Sequence, residues 1–158
     1  MTVAEITAEP TCENVPDNLI RPLLALSKST RQLISLKLAE IGVVAGQDQL
    51  LDAIDPDQRR GICEIARELS VRPSTVSKML DSLERRGWCR REMDDADLRR
   101  TFVVLTEDGA RVRSEVRQVW SAMNDDLTRQ IPCADRPALS DALWRIERIV
   151  AGRLSRLR

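Results

Sequence analysis

Apolar residues recur along most of this chain at the three- and four-residue spacing of a single helix face. From Asp17 to Gly42 the series is Leu19, Leu23, Leu26, Leu33 and Ile41, with Thr30 in register. Pro22 falls in the first turn of that helix, where proline is tolerated, and Gly42 is a natural stop. Gln47 to Ile54 predicts a shorter helix, ended by Asp55-Pro56-Asp57 because the residue before proline is driven out of the helical region. Ile62, Ile65, Ala66 and Leu69 mark one face of a helix from about Gly61 to Leu69, followed by a tight Ser70-Val71-Arg72 connection. Pro73 then opens a helix to Arg86 with Gly87 behind it, the usual order of start and stop signals.

Two segments depart from helical spacing. Trp88 to Met93 and Thr101 to Leu105 predict strands, with Asp94-Asp95-Ala96-Asp97 at the tip of the hairpin between them. Helical spacing then resumes. Thr106 is a good N-cap, with Glu107 and Asp108 placed to complement the helix dipole. Val112, Val116, Val119, Trp120, Met123 and Leu127 line a helix about 35 Å long. Ile131-Pro132-Cys133 breaks it, and Asp135 is expected to cap a last helix bearing Leu139, Leu143, Ile146, Val150, Leu154 and Leu157.

The pattern predicts a mainly α fold with a small β-hairpin wing: a winged helix-turn-helix over 46–106, flanked by helices in 17–45 and 107–158. Residues 1–16, polar and without periodicity, read as a flexible arm. The stripes on the flanking helices exceed what the middle unit can cover, so these are expected to be dimerisation helices of a homodimer.

Composition narrows the chemistry. With 158 residues the chain can bury a core without disulfides. Hydrophobic residues at 42% and charged residues at 32% fit a soluble, folded chain. No apolar run is long enough to span a bilayer and no secretory pattern opens the chain, so a cytoplasmic location without membrane contact is expected. The 25 basic and 25 acidic residues cancel, which leaves local clustering of charge as the informative quantity. There is no His, no C-x-x-C pair, no Gly-rich phosphate loop and no nucleophile motif. A structural zinc site and the common enzyme classes are thereby disfavoured, and no cofactor or metal is expected.

Two short helices joined by a tight turn form a helix-turn-helix, whose second helix must bury one face and present the other. Val76, Met79, Leu80 and Leu83 are the expected buried face. Ser74, Lys78, Asp81, Ser82 and Arg85 lie opposite, with Thr75 and Ser77 flanking. Short hydroxyls near the helix start can reach base edges, and Lys78 and Arg85 can meet phosphate or guanine. A polar helix face is also what a protein-docking module would show. Arg90, Arg91, Arg99 and Arg100 add a basic hairpin, the kind of element that enters a minor groove.

The stretch from Gly61 to Gly109 resembles the MarR family of bacterial regulators. The resemblance rests on Glu64-Ile65-Ala66 with Leu69 and Val71, then Pro73-Ser74-Thr75-Val76-Ser77, then Leu83-Glu84-Arg85-Arg86-Gly87. Asp94, Asp97 and Arg99 have the family's wing spacing, and Leu105-Thr106 with Gly109 closes the motif. It implies a homodimer on double-stranded DNA, a small-molecule effector in the cleft between the lobes, and contacts from Arg72, Pro73, Ser74, Thr75, Ser77, Lys78, Ser82, Arg85, Asp97, Arg99 and Arg100. Arg99 would be the wing arginine and Asp97 the acid that orients it. Some relatives sense oxidants through cysteines near the first helix and the C-terminal region. That makes Cys12 and Cys133 candidate redox residues, although the chain lacks the tyrosines such sensors use. Cys63 and Cys89 are expected to be small buried hydrophobes.

Three positions depart from the family pattern. Arg72 replaces a frequent N-capping Ser, a loss of about 1 kcal/mol that adds a cation to the same face. Asp48 stands where a large apolar residue is common, and Ser70 replaces a frequent Gly or Asn in the turn.

Overall fold

A computed structural model describes residues 18–93 and 101–156. The arm, including Cys12, and the hairpin tip with Asp97, Arg99 and Arg100 lie outside the described residues, as does Leu157. The elements run α1 (Ile20–Glu40), α2 (Gln47–Ala53), β1 (Arg60–Gly61), α3 (Ile62–Glu68), α4 (Pro73–Arg85), β2 (Cys89–Met93), β3 (Thr101–Leu105), α5 (Glu107–Gln130) and α6 (Arg136–Ser155). The order is the expected one with β1 added. Arg60 and Gly61 pair antiparallel with Val103 and Phe102, and β3 also pairs with β2, so the sheet has the order β1-β3-β2. Two residues are too few to show alternation, and Gly61 had been expected to begin the helix.

One core joins these elements. Leu38 of α1, Leu50 and Leu51 of α2, Ile65 of α3, Val76, Leu80 and Leu83 of α4, Val103 of β3 and Val116 of α5 are all fully buried. Each such side chain contributes about 1.5–3 kcal/mol through removal from water. Asp52 pins α2 to the long helix: its carboxylate meets Arg117 Nε at 2.6 Å, and its carbonyl accepts from Arg113.

Three helix ends share one device. In the Schellman motif a left-handed residue after the helix lets two successive N–H groups reach back to the last turn. Val43 N–H reaches Leu38 O at 2.9 Å behind Gly42, and Trp88 N–H reaches Leu83 O at 3.0 Å behind Gly87. Val71 N–H reaches Ala66 O at 2.9 Å, but the left-handed residue there is Ser70, with φ of 54°. The departure noted in the turn therefore falls where a side chain is least welcome.

The start of α5 is fixed by Thr106. Its hydroxyl donates to Gly87 O at 2.6 Å and accepts from Gly109 N–H at 3.0 Å, while its own N–H donates to Trp88 O. Gly109 lies against that same Trp88 carbonyl; a Cβ there would fall 1.7 Å from the oxygen. The Leu105-Thr106…Gly109 motif thus locks α5 onto the turn that ends α4. At the other end of the chain Asp135 does not cap α6 through its side chain. Its backbone is already helical, and Pro137 in the first turn has no N–H to offer.

Candidate nucleic-acid interface

The α3–turn–α4 unit presents the polar face expected of it. Val76, Leu80 and Leu83 are fully buried and Met79 is half-buried, while Ser74, Thr75, Lys78, Asp81 and Arg85 are exposed. Arg72 occupies the N-cap with extended backbone and no side-chain cap, and Pro73 follows in the first turn. The first N–H groups of α4 are therefore uncapped by any side chain, and both Arg72 and Pro73 are exposed. An exposed helix N-terminus of this kind suits an anion.

Ser77 and Ser82 sit at the edges of that face and are half-buried. Ser82 looks away from it: its hydroxyl accepts from Gln47 Nε2 at 3.0 Å, and Gln47 in turn accepts from Val44 N–H. Gln47 is buried, so this is a polar strut between α2 and α4 that sequence reasoning missed. Asp48 beside it is also buried and accepts from Gly46 N–H at 2.7 Å. The residue that departs from the family pattern thus closes the turn into α2.

The arginines of the hairpin base separate into two kinds. Arg90 is exposed and pairs with Glu92 at 2.9 Å; Glu92 also holds Arg59 at 3.1 Å. Arg91 is half-buried and folds back on α4. One of its guanidinium nitrogens meets a Glu84 carboxylate oxygen, and the other reaches Ser77 O at 2.9 Å and Asp81 Oδ1 at 2.7 Å. Its backbone N–H donates to Glu84 Oε1 at 2.9 Å. Nothing in the sequence distinguished it from its neighbour Arg90. At the end of α4 Arg86 stacks 4.7 Å from the centroid of Trp88 and donates to Gly42 O, tying the end of α4 to the end of α1.

The cysteines divide as well. Cys89 is buried as expected, and its thiol is pushed up to about 11, chiefly by burial, then by the Glu84 carboxylate, against a lowering by Arg91. Cys63 corrects the expectation and is exposed. It follows Ile62 on α3, and the stripe through Ile62, Ile65, Ala66 and Leu69 turns position 63 outward. Cys133 is exposed between α5 and α6. Arg136, three residues further on, is turned instead to the carbonyls of Thr128 and Ile131.

Among the described residues no helix is long and apolar enough to cross a membrane. Comparison with known proteins agrees with the geometry. Residues 50–101 match the MarR family model. The transcriptional regulator HosA of Escherichia coli is similar at 32% identity over 63 residues, 40% of this chain and 47% of HosA. The chain thus spans about half the length of the curated relatives it matches. The fold is similar to the transcriptional regulator SlyA, with TM-score 0.80 and 17% identity over 89% of this chain and 99% of that one. It is also similar to MepR of S. aureus in a DNA complex, with TM-score 0.75 and 22% identity over 83% of this chain and 97% of that one. The chain is thus similar to the MarR family over residues 50–101, and its helix-turn-helix, three-stranded sheet and flanking helices share the fold of these solved structures.

Proposed function

We propose that this protein is a sequence-specific, double-stranded-DNA-binding transcriptional regulator that acts as a homodimer in the cytoplasm. The observation that carries the reading is α4: three of its residues are fully buried while Ser74, Thr75, Lys78 and Arg85 stand exposed behind an uncapped N-terminus. The DNA complex of the similar MepR supports the same use of the fold. In this reading α4 enters a major groove, where Ser74, Thr75, Ser77 and Lys78 discriminate bases. Arg72 and Arg85 meet phosphate, and Pro73 presents the helix start. Asp97, Arg99 and Arg100 belong to a wing in the adjacent minor groove. Ser82, committed to Gln47, supports the helix from behind.

The dimer reading rests on α1 and α6. Leu19 at the cap of α1 and Ile20, Leu24, Leu26 and Leu33 on it are exposed, as are Leu139, Leu143, Trp144, Ile149, Val150 and Leu154 on α6. Such a run of large apolar groups marks an association surface. A cleft of about 450 Å³ between α1 and the start of α2, lined among others by Leu23, Leu26, Arg31, Ile34 and Asp48, is of a size for a small effector that releases this repressor from its palindromic operator. Cys133 with Cys12 would serve only as an accessory oxidant sensor.

The test is affinity for DNA selected from a random pool, measured across a salt series. A selected sequence should bind far more tightly than the starting pool, with affinity falling steeply as salt rises. Lys78→Ala should weaken binding by about 1–3 kcal/mol and relax the preference at one base position. Equal affinity for every sequence, or none that depends on salt, would overturn the reading.

A further inference from the structure

Asp81 is an anomaly on the proposed reading face. It is exposed, it lies between Lys78 and Arg85 along one side of α4, and a carboxylate there repels phosphate. Arg91 supplies the answer from beneath. Its guanidinium meets Ser77 O, Asp81 and Glu84, positions spaced four and three residues apart and so aligned along one edge of the helix. The ion pair with Asp81 measures 2.7 Å. The Arg91 side chain is only 28% exposed, so its charge is directed at these partners and away from solvent.

We propose that Arg91 is a positioning residue for DNA recognition: it masks the Asp81 carboxylate on the reading face and ties the wing strand β2 to the recognition helix, without itself contacting DNA. The proposal rests on the DNA-binding reading above. It gives Arg91, one of the four hairpin arginines, a role in internal charge balance. The geometry also explains how an acid is tolerated beside Lys78 and Arg85. Held against the guanidinium that it shares with Glu84, Asp81 adds less repulsion; with Arg91 removed both acids lose their counter-charge, and the more exposed Asp81 is the one that faces phosphate. Glu84 takes part in the anchoring, since it accepts from both the backbone and the side chain of Arg91. The backbone bond survives substitution of the side chain, which keeps β2 attached to α4 in the variants.

The test is a double-variant cycle on the full chain, read as affinity for the selected DNA between ~50 and ~200 mM salt. Asp81→Asn alone should leave affinity within about twofold of the parent and the salt slope unchanged, because the charge it removes is already masked. Arg91→Gln should weaken binding and make the slope shallower by about one unit. Adding Asp81→Asn to Arg91→Gln should restore most of the affinity and the slope, a rescue that a merely structural arginine would not show. Tighter binding by Asp81→Asn in the parent, by about threefold or more with a steeper slope, would show an unmasked acid and overturn the proposal. So would an Arg91→Gln loss that Asp81→Asn does not repair, since that is the behaviour of a direct phosphate contact or of a displaced wing. Should Arg91→Gln fail to fold, the Asp81→Asn arm alone still decides between masked and unmasked. A parent with no salt-dependent affinity for any DNA would instead overturn the regulatory reading, and this inference with it.

Discussion

Helices α4 and α6 are both amphipathic, yet they fare differently. In α4 the apolar stripe finds its partners within the chain: Val76, Leu80 and Leu83 are fully buried. In α6 no residue is buried, and Leu143, Trp144 and Val150 stand in the open at 43%, 63% and 56% exposure. The difference lies in what surrounds each helix. Around α4 the elements α2, α3, β2 and β3 close a complete core. Around α6, among the described residues, stand the first half of α1, itself apolar and uncovered, which it meets in an open groove at Ile146, and α3 with its following turn, which faces Val150 and Leu154 across a second open groove. Hydrophobic periodicity says that a face must be buried, but not whether the partner lies in the same chain.

The most disruptive way to test this contrast attacks the self-sufficient half. Gly109→Ala places a methyl 1.7 Å from the Trp88 carbonyl oxygen, and both are held by backbone, so neither can yield cheaply. The Thr106 cap and the junction of α4 with α5 would have to shift together. Loss of at least about 3 kcal/mol is expected, read as a collapse of the urea midpoint. A near-parental midpoint would mean that the junction is far more pliant than its hydrogen bonds suggest.

Leu143→Glu addresses the other half and should separate the two. Sedimentation of the parent at micromolar concentration should give about twice 17.9 kDa, and the variant should fall toward 17.9 kDa while Trp88 stays in its folded environment. A charge buried at a dimer interface costs several kcal/mol unless paired. A variant that stays dimeric, or a parent that is monomeric, would show that α6 is covered in some other way.

The thiols provide a third measure of inside against outside. Cys89 carries a pKa raised from 9.0 to about 11 by burial, reinforced by Glu84. Its native form favours the proton, so its contribution to stability is complete below pH 9 and is lost as pH rises from about 9 toward 11. Cys89→Ala should flatten the decline in stability across that window. In the native protein at pH 8, maleimide should label Cys63 and Cys133 first and Cys89 only after unfolding. Labelling of Cys89 as fast as Cys133 would mean that the sheet opens readily.

These contrasts also explain what could be read without coordinates. The helices, the buried face of α4 and the Thr106 cap were legible because each depends on residues within one or two turns of one another. The outward position of Cys63 is also written in the stripe beside it, against the expectation of a buried thiol. By contrast, β1 exists only through Val103 and Phe102 some 40 residues away, and no two-residue pattern announces it. The Gln47–Ser82 strut and the inward fold of Arg91 likewise arise from chain segments that only tertiary packing brings together. Ser82, one of the candidate contacts, and Arg91, which was not among them, both have the chemistry of DNA contacts and bond within the chain.

Smaller effects belong to the turn before α4, where stability and recognition compete. Arg72→Ser should supply the missing N-cap and stabilise the lobe by about 1 kcal/mol. It should also remove a cation from beside the uncapped helix start, weakening DNA binding and making its salt slope shallower by about one unit. Higher thermal stability with unchanged affinity at low salt would show that Arg72 points away from the DNA.

Ser70→Gly, two residues earlier, is expected to have the smallest effect, and its sign follows from a balance. Ser70 takes the left-handed position that Gly42 and Gly87 fill at the ends of α1 and α4. A side chain in that conformation costs about 1–2 kcal/mol. Glycine removes this cost but returns roughly 0.5–1 kcal/mol through the greater freedom of the unfolded chain. The remainder should be a stabilisation of a few tenths of a kcal/mol up to about 1 kcal/mol, read from the denaturation midpoint. DNA affinity should not change, because the Schellman bond from Val71 N–H to Ala66 O keeps the same geometry. A clear destabilisation would mean that the serine side chain contributes more than its strained backbone costs. The α3–α4 turn would then depend on a side chain at the position that glycine fills at the ends of α1 and α4.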